Sequence, residues 1–156
     1  MIRISDEVQE ALRDGRGVVA LETTLVAHGF PPGEGVAVGL GSEAAVRAGG
    51  SVPATIGLLD GTVIVGLTEA ELERFDAAAR KLGPRDLAAA AVQSAPGATT
   101  VGGTLAVCKV VGIRFMATGG LGGVHRGWPT PPDVSADLGV LARTRALVVS
   151  DRKSVV

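Results

Sequence analysis

The stretch Ala117-Thr-Gly-Gly-Leu-Gly-Gly-Val-His-Arg-Gly127, with Asp133-Val-Ser-Ala-Asp137 close behind it, sets five glycines around a His125-Arg126 pair beside two carboxylates. Glycine lets backbone amides approach an anion and adopt positive φ, at a cost in chain entropy that an ordinary surface loop has no need to incur. The amides of Gly119 to Gly123, with Arg126 nearby, therefore predict capture of a phosphate. Two further reactive groups lie just past predicted strands: Glu22 after Val18 to Leu21, and Lys153 after Ala146 to Val149. In open α/β sheets ligands bind beyond the carboxyl ends of strands, so Glu22, the glycine loop and Lys153 are expected to converge on one crevice.

General motifs narrow the chemistry by failing. Gly120-Leu-Gly-Gly-Val-His125 has histidine where the dinucleotide fingerprint needs its third glycine, and no Gly-Lys-Ser/Thr follows to make a P-loop, so neither NAD nor ATP is indicated. Ser150-Asp-Arg-Lys153 matches the Ser-x-x-Lys pattern of penicillin-binding enzymes without their Ser-Asp-Asn and Lys-Thr-Gly partners, which leaves an acyl-serine hydrolase using Ser150 as a rival reading. His28 and His125 stand too far apart for a recognisable metal motif, and hydrogen bonding to a ligand or to the residues around it is expected of each. Basic and acidic residues number 15 and 16 and are mixed along the chain, which offers no basic stripe for a nucleic acid. The single Cys108 excludes an internal disulfide and a multi-cysteine zinc site. The start Met1-Ile-Arg-Ile-Ser-Asp-Glu7 lacks a signal-peptide core and no apolar run is long enough to span a membrane, so a cytoplasmic protein is expected.

The elements that must position these groups alternate between strand and helix, the order of an α/β protein, with 46% hydrophobic residues for a core. Ser5 is expected to cap a helix over Asp6 to Arg13, and residues 36 to 48 carry a helical pattern closed by Gly49-Gly50. Ser51 to Leu58 and Thr62 to Leu67 flank Asp60-Gly61, a two-residue hairpin signal that predicts an antiparallel pair. Thr68-Glu-Ala-Glu71 is a capping box expected to open a helix to about Arg80, and an Ala-rich helix follows Pro84. Val107 to Val111 reads as helical, and Arg114 to Ala117 as the strand that delivers the glycine loop, with Phe115 in the core. Ser135 is expected to cap a helix to Arg143, and Ala146 to Val149 forms the last strand. Residues 1 to 156 thus read as one α/β domain. Because a strand that has just delivered a lysine normally leads into another element, the chain is expected to be the N-terminal part of a longer protein.

Leu21-Glu-Thr-Thr-Leu-Val-Ala-His-Gly29, Val52-Pro-Ala-Thr-Ile56, Arg85-Asp-Leu87, Ala98-Thr-Thr-Val101, the glycine loop and Asp133-Val-Ser-Ala-Asp-Leu138 resemble, in this order, the pseudouridine-5′-phosphate glycosidase family. The resemblance runs from about Ile4 to Ser154. It implies a three-layer α/β/α fold with a mixed, mostly parallel sheet, a homotrimer, and reversible cleavage of pseudouridine 5′-phosphate to uracil and ribose 5-phosphate with a divalent metal, usually manganese. It further implies Lys153 as the amine that forms an imine with the opened sugar and Glu22 as the acid that protonates the departing uracil carbon. Asp133 is implied as the metal ligand, and Lys81, Val101, Ser135, Ala136 and Asp137 as substrate contacts. Such an amine must lose its proton near neutrality, which desolvation or the neighbouring Arg152 favours, whereas Glu22 must keep one. The rival expectation is an inactive fragment that still binds a sugar phosphate.

Overall fold

A computed structural model describes residues 1–124, 130 and 133–151. Its elements begin with β1 (Ile2–Ile4), α1 (Asp6–Arg13), β2 (Val18–Glu22), α2 (Thr24–His28) and α3 (Gly35–Ala48). They continue with β3 (Val52–Leu59), β4 (Thr62–Val65), α4 (Glu69–Leu72), β5 (Arg80–Leu82) and α5 (Leu87–Val92). The last are β6 (Gly97–Thr99), α6 (Val101–Val111), β7 (Phe115–Thr118), α7 (Ala136–Leu141) and β8 (Leu147–Ser150). Local chemistry sets many of the boundaries. The Ser5 hydroxyl accepts from the Val8 amide at the start of α1, and Ser135 does the same for Asp137 at the start of α7. Asp60 and Gly61 both take positive φ, 52° and 74°, which is the twist a tight hairpin between β3 and β4 requires.

The sheet runs in the order β1-β4-β3-β2-β7-β8, with β5 beside β6 and β6 beside β3. The β3 and β4 pair is antiparallel, as is β3 with β6, and the other pairs are parallel. The expected mixed, mostly parallel α/β sheet is therefore present. Alternation along β3 sorts the layers. Val52, Ala54, Ile56 and Leu58 face a cluster that takes in α1 and α6, while Leu59 joins a second cluster with α2 and with Leu72 and Phe75 on the opposite face. Cys108 lies in the first cluster, and burial pushes its thiol up to about 12, so it acts there as a small apolar group.

Two expectations are corrected. The capping box of Thr68 and Glu71 forms, yet α4 ends at Leu72 rather than near Arg80. Asp76 accepts from the Ala78 amide at 2.9 Å, a side-chain turn that competes with the helix, and Arg80–Leu82 instead pairs in parallel with Gly97–Thr99. Strand pairing that buries Leu82 completely outweighs local helical preference, and Lys81 consequently sits on a strand. Phe115 is 46% exposed, whereas its neighbour Met116, on the opposite face of β7, is 1% exposed in the cluster built with α6.

Helix α6 is seated closely on β5: a Cβ at Gly103 would lie 2.2 Å from the Leu82 carbonyl oxygen, a backbone atom that cannot swing aside. Gly103→Ala is expected to cost about 2–3 kcal/mol, read as a lower urea midpoint with unchanged slope. Gly41→Ala, in α3 with nothing within 4 Å of the added carbon, is the control, expected neutral or mildly stabilising.

Candidate functional site

The site arises where two strands meet head-on. Along one edge of β3, β2 pairs as far as Glu22 opposite Ile56, and β6 arrives from the other direction with Ala98 opposite Gly57. Their carboxyl ends therefore converge on Ile56, and α2 and α6 depart from that point, which is the crevice geometry of a topological switch. Threonines fasten it. The hydroxyls of Thr23 and Thr99 both donate to the Ile56 carbonyl, at 2.8 and 2.7 Å, and Thr24 donates to the Thr99 carbonyl at 2.9 Å. Composition gave no sign of this cluster, since nothing in the chain shows that β6 ends against β2.

Above the junction lies a cavity of about 980 Å³, ample for a nucleotide-sized ligand. Its polar wall includes Glu22, Lys81, Thr118, Gly122, Ser135 and Asp137. Glu22 is only 8% exposed, and burial above all raises its carboxyl from 4.5 to about 7. The nearby Asp137 pushes in the same direction, while the hydrogen bond donated by Thr118 and the charge of Lys81 oppose them. The Thr118 hydroxyl also lies 3.0 Å from the Gly120 carbonyl and accepts from the Gly120 amide at 3.2 Å. It has one proton for two acceptors. When Glu22 is ionised, Thr118 donates to it; when Glu22 is protonated, the carboxyl can donate and Thr118 turns its own proton to Gly120. The glycine loop is thereby linked to the protonation of Glu22.

Asp137 is the second buried carboxylate at the site, 8% exposed. One oxygen accepts from the Gly102 amide at 2.7 Å and the Thr100 hydroxyl at 3.2 Å, and the other from the Gly122 amide at 3.3 Å. It ties the amino end of α6 to the glycine loop. Close approach explains one of the loop's glycines directly: a Cβ at Gly122 would lie 2.1 Å from the Ser135 hydroxyl, whereas one at Gly119 would meet a terminal methyl of Leu25 at 2.8 Å, which can swing aside. Since the amides of Gly120 and Gly122 already meet protein acceptors, the expected anion cradle is smaller than the glycine count suggested.

The other expected residues divide three ways. Lys81 and Ser135 line the cavity, and Val101 stands at its wall as the first residue of α6 with its side chain in the core. His28 lies at the cavity with its Nε2 against the Ala79 carbonyl at 2.9 Å. Asp133, Ala136 and Ser150 are exposed and not part of the cavity lining, and Asp151 reaches it just after β8. His125, Arg126 and Lys153 lie outside the described residues. Among the described residues no three His, Cys, Asp or Glu side chains gather as a metal cluster. An exposed single carboxylate such as Asp133 fits only a hard cation that keeps most of its water. Thr100 and Thr118 were the site residues that sequence reasoning missed; a hydroxyl before a helix or after a strand is too common to single out.

The family model described as indigoidine synthase A like protein matches residues 7–155. The chain belongs to this family. Among curated members of similar sequence, the pseudouridine-5′-phosphate glycosidase of Chloroflexus aurantiacus is 54% identical over 152 residues, covering 96% of this chain and 50% of that protein. The glycosidase of the same name from Dickeya dadantii is 47% identical over 151 residues, 96% of this chain and 48% of that one. The solved prealnumycin C-glycosynthase AlnA, in complex with ribulose 5-phosphate, superposes with a TM-score of 0.83 at 40% identity and covers 96% of this chain and 49% of that one. An indigoidine synthase A like protein of Thermotoga maritima gives the same TM-score at 35% identity. This member of the indigoidine synthase A like family thus spans about half the length of the curated relatives it matches.

Proposed function

We propose that this chain carries the acid, the metal ligand and the sugar-phosphate contacts of a pseudouridine-5′-phosphate glycosidase, acting on pseudouridine 5′-phosphate or, in reverse, on uracil and ribose 5-phosphate. The observation that carries the reading is Glu22: a carboxyl raised to about 7 at a cavity holds a proton close to neutrality, which a general acid must do. Pseudouridine joins sugar to base through carbon, so an ordinary leaving group cannot be protonated off. In the proposed course the Lys153 amine bonds C1′ and the ring oxygen takes a proton as it leaves. The nitrogen lone pair then forms C=N while the C–C bond breaks, its electron pair passing to uracil and the Glu22 proton to the uracil carbon. Water hydrolyses the imine, returning the lysine and ribose 5-phosphate.

Lys81 at the cavity favours the phosphate, since the first amides of α6 are already taken by Asp137 and Thr100. Val101, Ser135, Ala136 and Asp137 belong to the same proposed substrate site by the sequence resemblance, and His125 and Arg126 by their place in the glycine-rich stretch. Asp133 would hold a hydrated manganese ion, which when bound supplies positive charge for oxygens of the substrate. Manganese and the homotrimer rest on the sequence resemblance, and a cytoplasmic location on the single Cys108 and the composition of the chain. The structure adds that no helix among the described residues is long and apolar enough to cross a membrane. The similarity to the C-glycosynthase bound to ribulose 5-phosphate supports a sugar phosphate as the ligand class.

The test is uracil release from pseudouridine 5′-phosphate with manganese, with borohydride added in parallel and the protein mass read. Uracil and a reduced ribose-phosphate adduct on Lys153 are the expected results. A folded sample that gives neither is an inactive fragment, and a covalent serine probe labelling Ser150 would favour the hydrolase reading instead.

A further inference from the structure

Three groups meet the Thr118 hydroxyl at the end of β7, and only one protonation state of Glu22 satisfies all of them. The bond from the Gly120 amide is the ordinary turn that a threonine makes with the residue two places on. Glu22 comes from 96 residues away and competes with the Gly120 carbonyl for the one hydroxyl proton. With Glu22 protonated, its O–H fills the second lone pair of Thr118, and the Thr118 proton stays on Gly120. With Glu22 ionised, that proton goes to the carboxylate in a charge-assisted bond, about twice as strong as a neutral one, and the Gly120 carbonyl loses its donor.

The far end of the glycine loop is fixed independently. Asp137 holds the Gly122 amide at 3.3 Å, the Ser135 amide donates to the Gly123 carbonyl at 2.9 Å, and Leu121 packs against the cluster built with α6. Thr118 therefore governs the Gly119-Gly120 stretch, which has no Cβ to hinder rotation of a peptide and which lines the cavity. We propose that Thr118 is a positioning residue that holds the Gly120 carbonyl while Glu22 keeps its proton, and releases it to the cavity as an acceptor for a ligand hydroxyl once that proton is spent. Linkage makes the coupling reciprocal: a ligand hydroxyl that takes the Gly120 carbonyl frees the Thr118 proton for the carboxylate, and so eases proton release from Glu22 when the site is filled. That Glu22 gives its proton to uracil rests on the proposed reaction, whereas the coupling rests on the three bonds of Thr118.

Other charged and titratable groups face the same space: His28 of α2, Lys81 of β5, Asp137 of α7 and Asp151 after β8 line the cavity, and Glu43 of α3 accepts from Thr55 at its wall. NMR of the isotope-labelled, ligand-free chain separates Glu22 from these five. The Gly120 carbonyl carbon, which reports the hydrogen bond its oxygen accepts, is expected to titrate with the same midpoint as the Glu22 carboxyl carbon. Glu22→Gln should abolish the Gly120 response although all five neighbours remain. Thr118→Val, which fills the same space without a hydroxyl, should leave Glu22 titrating and Gly120 silent, and Thr118→Ser should restore the response. A Gly120 carbonyl that does not respond in the parent overturns the proposal, as does one that follows Glu22 undiminished in Thr118→Val. If the valine variant does not fold, the glutamine variant still decides, because a Gly120 titration that survives in Glu22→Gln belongs to another group and overturns the coupling. No substrate enters the measurement, so a folded chain that releases no uracil counts against the glycosidase reading and leaves this result standing.

Discussion

Glu22→Gln is expected to stabilise the protein at neutral and alkaline pH while removing the proton donor of the proposed reaction. Burial holds the Glu22 carboxyl at about 7 against an ordinary 4.5, so between those values the native state keeps a proton that the unfolded chain has released. Below 4.5 both states are protonated and the group contributes no difference; above 7 both are ionised and the native state bears the full cost of a buried charge. At roughly 1.4 kcal/mol per unit, the parent loses about 3 kcal/mol as pH rises through this window. Glutamine keeps the shape without the charge. The difference in urea unfolding free energy between variant and parent should therefore be near zero at pH 4 and climb to a plateau of about 2–3 kcal/mol above pH 7, after allowance for the altered bond to Thr118. A difference that does not vary with pH would falsify burial as the cause of the shift. For the proposed cleavage, loss of the proton donor should slow turnover about 10²–10⁴-fold, and the alkaline fall of the parent's rate through about 7 should be absent from the variant.

The place of Glu22 was legible because it depends on one local fact, a carboxylate directly after a buried apolar run. The same holds for the glycine loop after β7 and for the caps Ser5 and Ser135, whose partners lie within three residues. What was not legible depends on distant pairing. Gly97–Thr99 is too short and too small in its side chains to announce a strand, and becomes one only against β3 and β5. Arg80–Leu82 follows a sound capping box and looks like the end of its helix until β6 offers a partner. Thr118 and Thr100 make local bonds to the Gly120 and Gly103 amides, but gain their roles in the site only when Glu22 and Asp137 come within reach, across 96 and 37 residues of chain. Phe115 misled because an aromatic on a strand is ordinarily buried, whereas on β7 it is Met116, on the opposite face, that packs into the core with α6.

Asp137→Ala is expected to be the most destabilising single change at the site, by about 3–4 kcal/mol, because it orphans buried donors on two elements at once. The Gly102 amide sits in the first turn of α6, where no helical partner exists, and the Gly122 amide is held in the glycine loop; both lose their acceptor together with the Thr100 hydroxyl. Asp137→Asn keeps the volume and one acceptor oxygen but turns an NH₂ group toward the other amide, so about 1–3 kcal/mol is expected. Ser135→Ala removes a helix cap alone and should cost nearer 1 kcal/mol. The asparagine variant also separates scaffolding from electrostatics. Asp137 is an anion that adds to burial in raising the Glu22 carboxyl. Neutralising it should move the Glu22 midpoint, followed by NMR of the carboxyl carbon, below the parent's value of about 7, and with it the pH at which cleavage falls off. A residue that only held the loop would lower the rate and leave that midpoint where it was. An unshifted midpoint in a folded Asp137→Asn protein would mean that burial alone keeps the proton on Glu22, and that Asp137 serves the reaction through geometry.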